Sequence, residues 1–280
     1  MMIAWQSKLK FWDFFRSPFV LVAACVSVAP INDLLAQSPP DFRIETDVML
    51  ANEAEPIIQT LTIFQGGIAY DYSRNEPKRV TIIHPAKNRI IFLDEDRELQ
   101  SQINLNDLQA FIERARIELA NTSLKEFLRD CEIVNIDDQS QTVVVGHRTV
   151  RYEAKYQAIQ RSEAAQLYSD FANASAYINS WQAPDRNPPS FARVQLNKVL
   201  GQRNAIPIEI TRTTFTNDGH EHILRSRLHV SWQLTQEDQK LVQKFQSMLT
   251  AYRTEQVGEF MAPTKIGSSG VVGSSKTVQR

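Results

Sequence analysis

Ile57-Ile58-Gln59-Thr60-Leu61-Thr62-Ile63-Phe64, then Gln65-Gly66-Gly67, then Ile68-Ala69-Tyr70-Asp71-Tyr72, is the stretch whose reading decides the fold. Apolar and polar residues alternate up to Phe64, the period of a strand with two different faces. Two adjacent glycines between apolar runs predict a tight hairpin, because the primed turns need positive φ. Working outward, Arg79-Val80-Thr81-Ile82-Ile83 and Arg89-Ile90-Ile91-Phe92-Leu93 form the next pair, joined through His84-Pro85-Ala86-Lys87-Asn88. Upstream, Phe42, Ile44, Thr46 and Val48 alternate with charged or polar neighbours. Together these predict a meander of about five antiparallel strands.

Helical spacing takes over at Leu105, Leu108, Phe111, Ile112, Ala115 and Leu119. Ser123-Leu124-Lys125-Glu126 has capping-box form and predicts a second, short helix ending near Cys131. Thr142–Val145 and Thr149–Ile159 read as a hairpin around Gly146-His147. From Ser162 the helical pattern returns, with Ala164, Leu167, Tyr168, Phe171, Ser175, Ile178 and Trp181 on one side. Pro184 and Pro188-Pro189 end it, and Ser190 is placed to cap a further helix running to Gly201. Ile206–Phe215 and Ile223–Trp232 are strands joined through Asp218-Gly219, and Thr235-Gln236-Glu237-Asp238 opens a last helix. From Val257 the chain turns rich in Gly and Ser, so 257–280 reads as a disordered tail.

Strands gathered by hairpins, rather than alternating one-to-one with helices, define an α+β fold. The expected form is a curved antiparallel sheet, an incomplete barrel, with helices packed on one face. The expected organisation is a signal peptide over 1–36, a single α+β domain over 37–256, and the tail.

The leader reading rests on order. Lys8, Lys10 and Arg16 precede the apolar run Phe19-Val20-Leu21-Val22-Ala23-Ala24-Cys25-Val26, and Leu34-Leu35-Ala36-Gln37 leads into Ser38-Pro39-Pro40. Basic region, short apolar run, and small residue before a polar one is the order a signal peptide needs. The run falls short of the roughly 20 residues a bilayer span requires. Two cleavages fit. Ordinary signal peptidase would cut after Ala36, whereas Val22-Ala23-Ala24-Cys25 resembles a lipobox, in which Cys25 becomes a lipidated N-terminus. Both place the protein outside the cytoplasm, in the periplasm or cell envelope of a bacterium, and only the second ties it to a membrane, through acyl chains.

Loss of the leader removes Lys8, Lys10, Arg16, Asp13 and Asp33 and moves the net charge from −1 to near −2. That leaves no basic excess to attract nucleic acid. Beyond Cys25 the only cysteine is Cys131, so no intramolecular disulfide can form and the fold must rest on its core.

The chain carries no Walker loop, dinucleotide loop, Gly-x-Ser-x-Gly elbow or His-Glu-x-x-His helix. No cofactor is implied. Asp218, His220 and His222 would share one side of an extended segment and form a weak metal candidate, but they sit at a turn, where polar residues are expected anyway. Asp94-Glu95-Asp96-Arg97-Glu98 reads as a solvated mixed-charge loop.

The strand rhythm of Ile57–Leu93 around Gly66-Gly67, followed downstream by Ile206-Pro207-Ile208-Glu209-Ile210, Asp218-Gly219 and the strand to Trp232, resembles the periplasmic lipoprotein-carrier superfamily, the LolA/LolB-like proteins. The resemblance covers about two-thirds of the mature chain and implies an incomplete antiparallel barrel, covered by helices, around an apolar cavity for acyl chains. The helix that usually precedes the first strand is missing, and residues 160–203 look like an addition.

Three functions follow as expectations. The first is a non-catalytic exported domain holding a lipid, lipoprotein acyl chains or another apolar ligand between sheet and helices, since such a concave apolar surface is the usual form of a ligand site. Large apolar residues on the predicted inner faces, Ile63, Phe64, Ile83, Phe92, Phe111 and Tyr168, are its expected lining. The second is a structural or assembly protein of the envelope with a filled core. The third and weakest is a metal-dependent hydrolase built on His220 and His222.

Overall fold

The computed structural model describes residues 39–262, apart from 52, 76–77, 123–124, 130, 184–186 and 217. The leader, Cys25 and the chain beyond 262 lie outside the described residues. The front of the chain is a continuous meander: β1 (Phe42–Leu50), β2 (Ile58–Gln65), β3 (Ile68–Ser73), β4 (Arg79–His84), β5 (Arg89–Asp94) and β6 (Leu99–Asn104). Helices α1 (Leu105–Leu119) and α2 (Glu126–Arg129) follow, then β7 (Ile133–Asp137), β8 (Thr142–Val145) and β9 (Val150–Ala158). Next come α3 (Ser162–Gln182), α4 (Phe191–Gln202), β10 (Ala205–Phe215), β11 (Glu221–Ser231), α5 (Gln236–Ala251), β12 (Arg253–Thr254) and α6 (Val257–Met261).

All the strands belong to one sheet of order β12-β6-β5-β4-β3-β2-β1-β11-β10-β9-β8-β7. The order does not return on itself, so the sheet is unclosed, and every pairing is antiparallel except that of β12 with β6. Two meanders meet at one seam, where β1 pairs with β11 in the register Ile44↔Val230 and Thr46↔Leu228. The Gly66-Gly67 hairpin has the geometry its sequence predicts: Gln65 pairs with Ile68, and the glycines sit at φ of 58° and 76°. A side chain at either position would be strained.

The period of two along each strand sorts its residues onto two faces. Phe42, Ile44, Phe64, Ala69, Ile83, Ile90 and Phe92 belong to one core cluster, together with residues of α3 and α4. Their neighbours Leu61, Ile63, Tyr70, Val80, Ile82, Ile91 and Leu93 belong to a second, with Val242, Phe245 and Met248 of α5. Helices therefore cover both faces, which corrects the expectation of one. The strand sequences explain it: a run such as Ile90-Ile91-Phe92-Leu93 is apolar on both sides, and both sides need cover. We call the α3/α4 side the inner face and the α5 side the outer face.

The segment from Val257, expected to open the tail, is helical over its first residues. Val257–Met261 forms α6, with Phe260 only 1 % exposed. Its ring packs 6.1 Å from that of Phe92 and lies under the Arg97 guanidinium, which also donates to the Phe260 carbonyl. Burying a Phe contributes on the order of 2–3 kcal/mol toward ordering this turn, beside the contacts of Arg97. The expected second helix shrinks to four residues, leaving Cys131 in the turn beyond it.

Candidate functional site

The inner layer does not close. Helix α3 presents to the sheet a stripe of small residues, Ala172, Ser175, Ala176, Asn179 and Ser180, at helical spacing. Aromatic side chains at two levels of the helix act as spacers. Phe171 meets the Phe64 ring edge-on at 5.6 Å, and Trp181 stacks on Phe92 at 6.5 Å. Large contacts near the ends with small side chains between them hold the helix off the strands. A cavity of about 450 Å³ lies there.

Its floor is the inner face around the seam: Ile44, Thr46 and Val48 of β1, Ile58 and Thr60 of β2, Ile210 of β10, and Leu224 and Leu228 of β11. Tyr168 and Phe171 stand at one end of the roof, and Asn187, Pro188, Ser190 and Arg193 close the approach to α4. A smaller space of about 160 Å³ lies beside it, reaching to Phe92, Ile178 and Phe260. Asp71, Ser175 and Asn179 border both.

Charge is unevenly placed here. Asp71, on the inner face of β3, accepts a 2.7 Å hydrogen bond from the Thr62 hydroxyl. Burial pushes its carboxyl up to about 6, against the smaller lowering effect of that bond. Arg212 of β10 also lines the larger cavity, and its Nε is buried without a hydrogen-bond partner. Arg193, in the first turn of α4, reaches the Tyr168 hydroxyl at 3.5 Å, the long limit of a hydrogen bond. Burial pushes the Tyr168 phenol up, and Arg193 works against it. Ser190 does not cap α4 as the sequence predicts. It adopts a helical conformation (φ −67°, ψ −7°), and its hydroxyl is buried without a partner.

The expected lining residues divide. Tyr168 borders the larger cavity and Phe92 the smaller. Phe64 and Ile83 lie on the inner face but inside the packed cluster, Phe64 stacked on Phe42 at 4.2 Å. Ile63 cannot join them: adjacent to Phe64 in a strand, it points to the outer face and packs beneath α5. Phe111 of α1 is 38 % exposed. Asp71, Arg193 and Arg212 carry no local signal in the sequence, and Ser190 is expected there only as a helix cap. A readable signal was the run of Ala and Ser at helical spacing in α3, too small to fill a layer.

At the weak metal candidate, Asp218 is taken up by its own turn. Its carboxylate accepts from the Thr216 hydroxyl and, at 3.4 Å, from the His220 backbone N–H. The His220 ring is 3.9 Å from the carboxylate, and no group of three or more metal-ligating side chains occurs among the described residues.

No described helix is long and apolar enough to cross a membrane. Compared with family models and with curated proteins, the chain gives no match.

Proposed function

We propose that this chain is an exported, non-catalytic domain of the bacterial periplasm or envelope that holds one lipid or other apolar ligand between the inner face of its sheet and α3. In this reading the unclosed sheet bends into the incomplete barrel of LolA/LolB-like carriers, with α3 and α4 as its cover. The protein acts either free, after cleavage behind Ala36, or anchored through Cys25. The observation that carries the reading is the cavity of about 450 Å³ under the small-residue stripe of α3. Its size falls within the roughly 300–1,000 Å³ of ligand pockets.

Native mass spectrometry of the full-length protein, purified without detergent from its own cell envelope, tests this. A lipid-sized adduct that is released on denaturation is expected. Adduct-free protein from repeated preparations, together with no uptake of dodecanol in titration, would remove the reading.

One observation favours the assembly alternative: β7 is an edge strand whose Ile133 and Val134 are exposed, the kind of edge that recruits another strand. Concentration-dependent dimerisation abolished by Val134→Lys would support it, and a strictly monomeric protein would count against it.

A further inference from the structure

The cavity is apolar along most of its floor, but the charges of its described residues do not balance. Among the described residues its lining contains two arginines, Arg193 and Arg212, and one carboxylate, Asp71. The carboxylate is not the arginines' partner. It bonds to Thr62, and the causes that set its ionisation are burial and that bond, with neither arginine among them. Positive charge instead comes from Arg193 of α4 and Arg212 of β10, an element on which α4 packs. The first turn of α4 contains no acidic residue and does contain Arg193. A cation beside the positive end of a helix is the reverse of the favourable arrangement. The first intrahelical bond there is from the Val194 N–H to the Ser190 carbonyl, and no side chain caps the N–H groups before it. Ser190 itself, 3 % exposed, lines the cavity with an unpartnered hydroxyl. The Nε of Arg212 is buried and bonds to nothing among the described residues.

Unpaired cations and unsatisfied donors at a low-dielectric wall are costly in the empty protein, and an anion relieves all of them together. We infer that the ligand is an anionic amphiphile, its carboxylate or phosphate head held by Arg193, Arg212 and the Ser190 hydroxyl, its chain lying along the strands away from Arg212, toward Leu228 and Ile44. Arginine suits this task because its planar fork matches either head with two parallel hydrogen bonds. A bare anion would leave the apolar floor without a partner, and an uncharged chain would leave the arginines without one. This inference rests on the cavity being a ligand site, and it adds which chemistry the site selects.

Calorimetric titration of the full-length chain at pH 7.5 tests it, with probes that share a twelve-carbon chain and differ in the head: dodecanoate, dodecyl phosphate, dodecanol and dodecyltrimethylammonium, each below its micellar concentration. Inorganic phosphate serves as the chainless control. At least one anionic probe should bind about tenfold or more tighter than dodecanol, the effect of one charge-assisted hydrogen bond or more. Whether carboxylate or phosphate is preferred separates a fatty acid from a phosphate-headed lipid. Arg193→Met with Arg212→Met should remove that advantage and leave dodecanol binding within about twofold; should the double variant fail to fold, Arg212→Gln alone is expected to lose most of it. Equal affinity for dodecanoate, dodecyl phosphate and dodecanol would overturn the inference and leave the cavity reading standing. Failure of every chain-bearing probe to bind would overturn both. Inorganic phosphate binding as tightly as dodecyl phosphate would reduce the site to an anion site and overturn the amphiphile.

Discussion

The two faces of the sheet are built from the same strands, yet one is sealed and the other holds space. On the outer face α5 contributes Val242, Phe245 and Met248, which reach down between Leu61, Tyr70, Ile82 and Leu93. The Phe245 ring lies 5.6 Å from that of Tyr72. On the inner face α3 contributes Ala and Ser over the same kind of strand surface, and a cavity remains. The size of the side chains on the covering helix decides whether a layer becomes a filled core or a container.

The buried carboxylates repeat the contrast. Asp238, 1 % exposed at the start of α5, accepts from the Thr235 backbone at 2.7 Å, from its hydroxyl at 2.8 Å and from Arg43 at 3.1 Å. Burial opposes its charge, but these bonds outweigh burial and hold the carboxyl below its ordinary value. Asp71, with one hydroxyl partner and no arginine bonded to it, is displaced the other way. A paired charge belongs to a finished layer; the displaced one marks the unfinished side.

Substitutions can break this comparison. Phe245→Ala, under α5, should cost about 3–5 kcal/mol in urea denaturation, because a fully buried ring leaves a cavity in a packed layer. A loss below about 1 kcal/mol would mean that the outer layer is not tightly closed. Asp71→Asn should do the opposite and stabilise. Because the folded carboxyl titrates near 6, its penalty is absent where both folded and unfolded states are protonated, appears as pH rises through the ordinary value of 3.8, and is complete above 6. Denaturation in a pH series should show the variant more stable by about 3 kcal/mol at pH 8 than it is, relative to the parent, at pH 3. A gain that does not change with pH would refute the assignment. The smallest effect belongs to the α5 cap, where the side chains of Thr235 and Asp238 bond reciprocally to each other's backbone N–H groups. Thr235→Ala should cost about 1 kcal/mol, with dodecanol uptake on the inner face unchanged.

Most of the elements are legible in the sequence, because strand alternation at Phe42–Val48 and helical stripes such as Leu241, Val242, Phe245 and Met248 are local signals. Strand β6, Leu99–Asn104, is not: Gln100, Ser101 and Gln102 give no apolar alternation, and Ser101 is buried because its hydroxyl finds the Glu255 carbonyl. The face taken by α5 is not written in its own stripe, which says only that one side is apolar. The strands carry that information, in apolar runs that leave no polar face. The site is the least legible part. Ile44, Arg212 and Leu228 line one cavity because β1, β10 and β11 share a sheet, and nothing local to any one of them announces the others.

The seam between β1 and β11 has a consequence for the order of assembly. As the chain emerges from its N-terminus, the first meander can zip up at once, but one flank of β1 stays bare until Glu221–Ser231 is delivered. Through that interval the nascent protein exposes a nine-residue strand margin, open to mispairing with other copies. Neither meander can complete the pocket floor by itself, so binding capacity arrives in a single late step, when the two ends of the fold find each other.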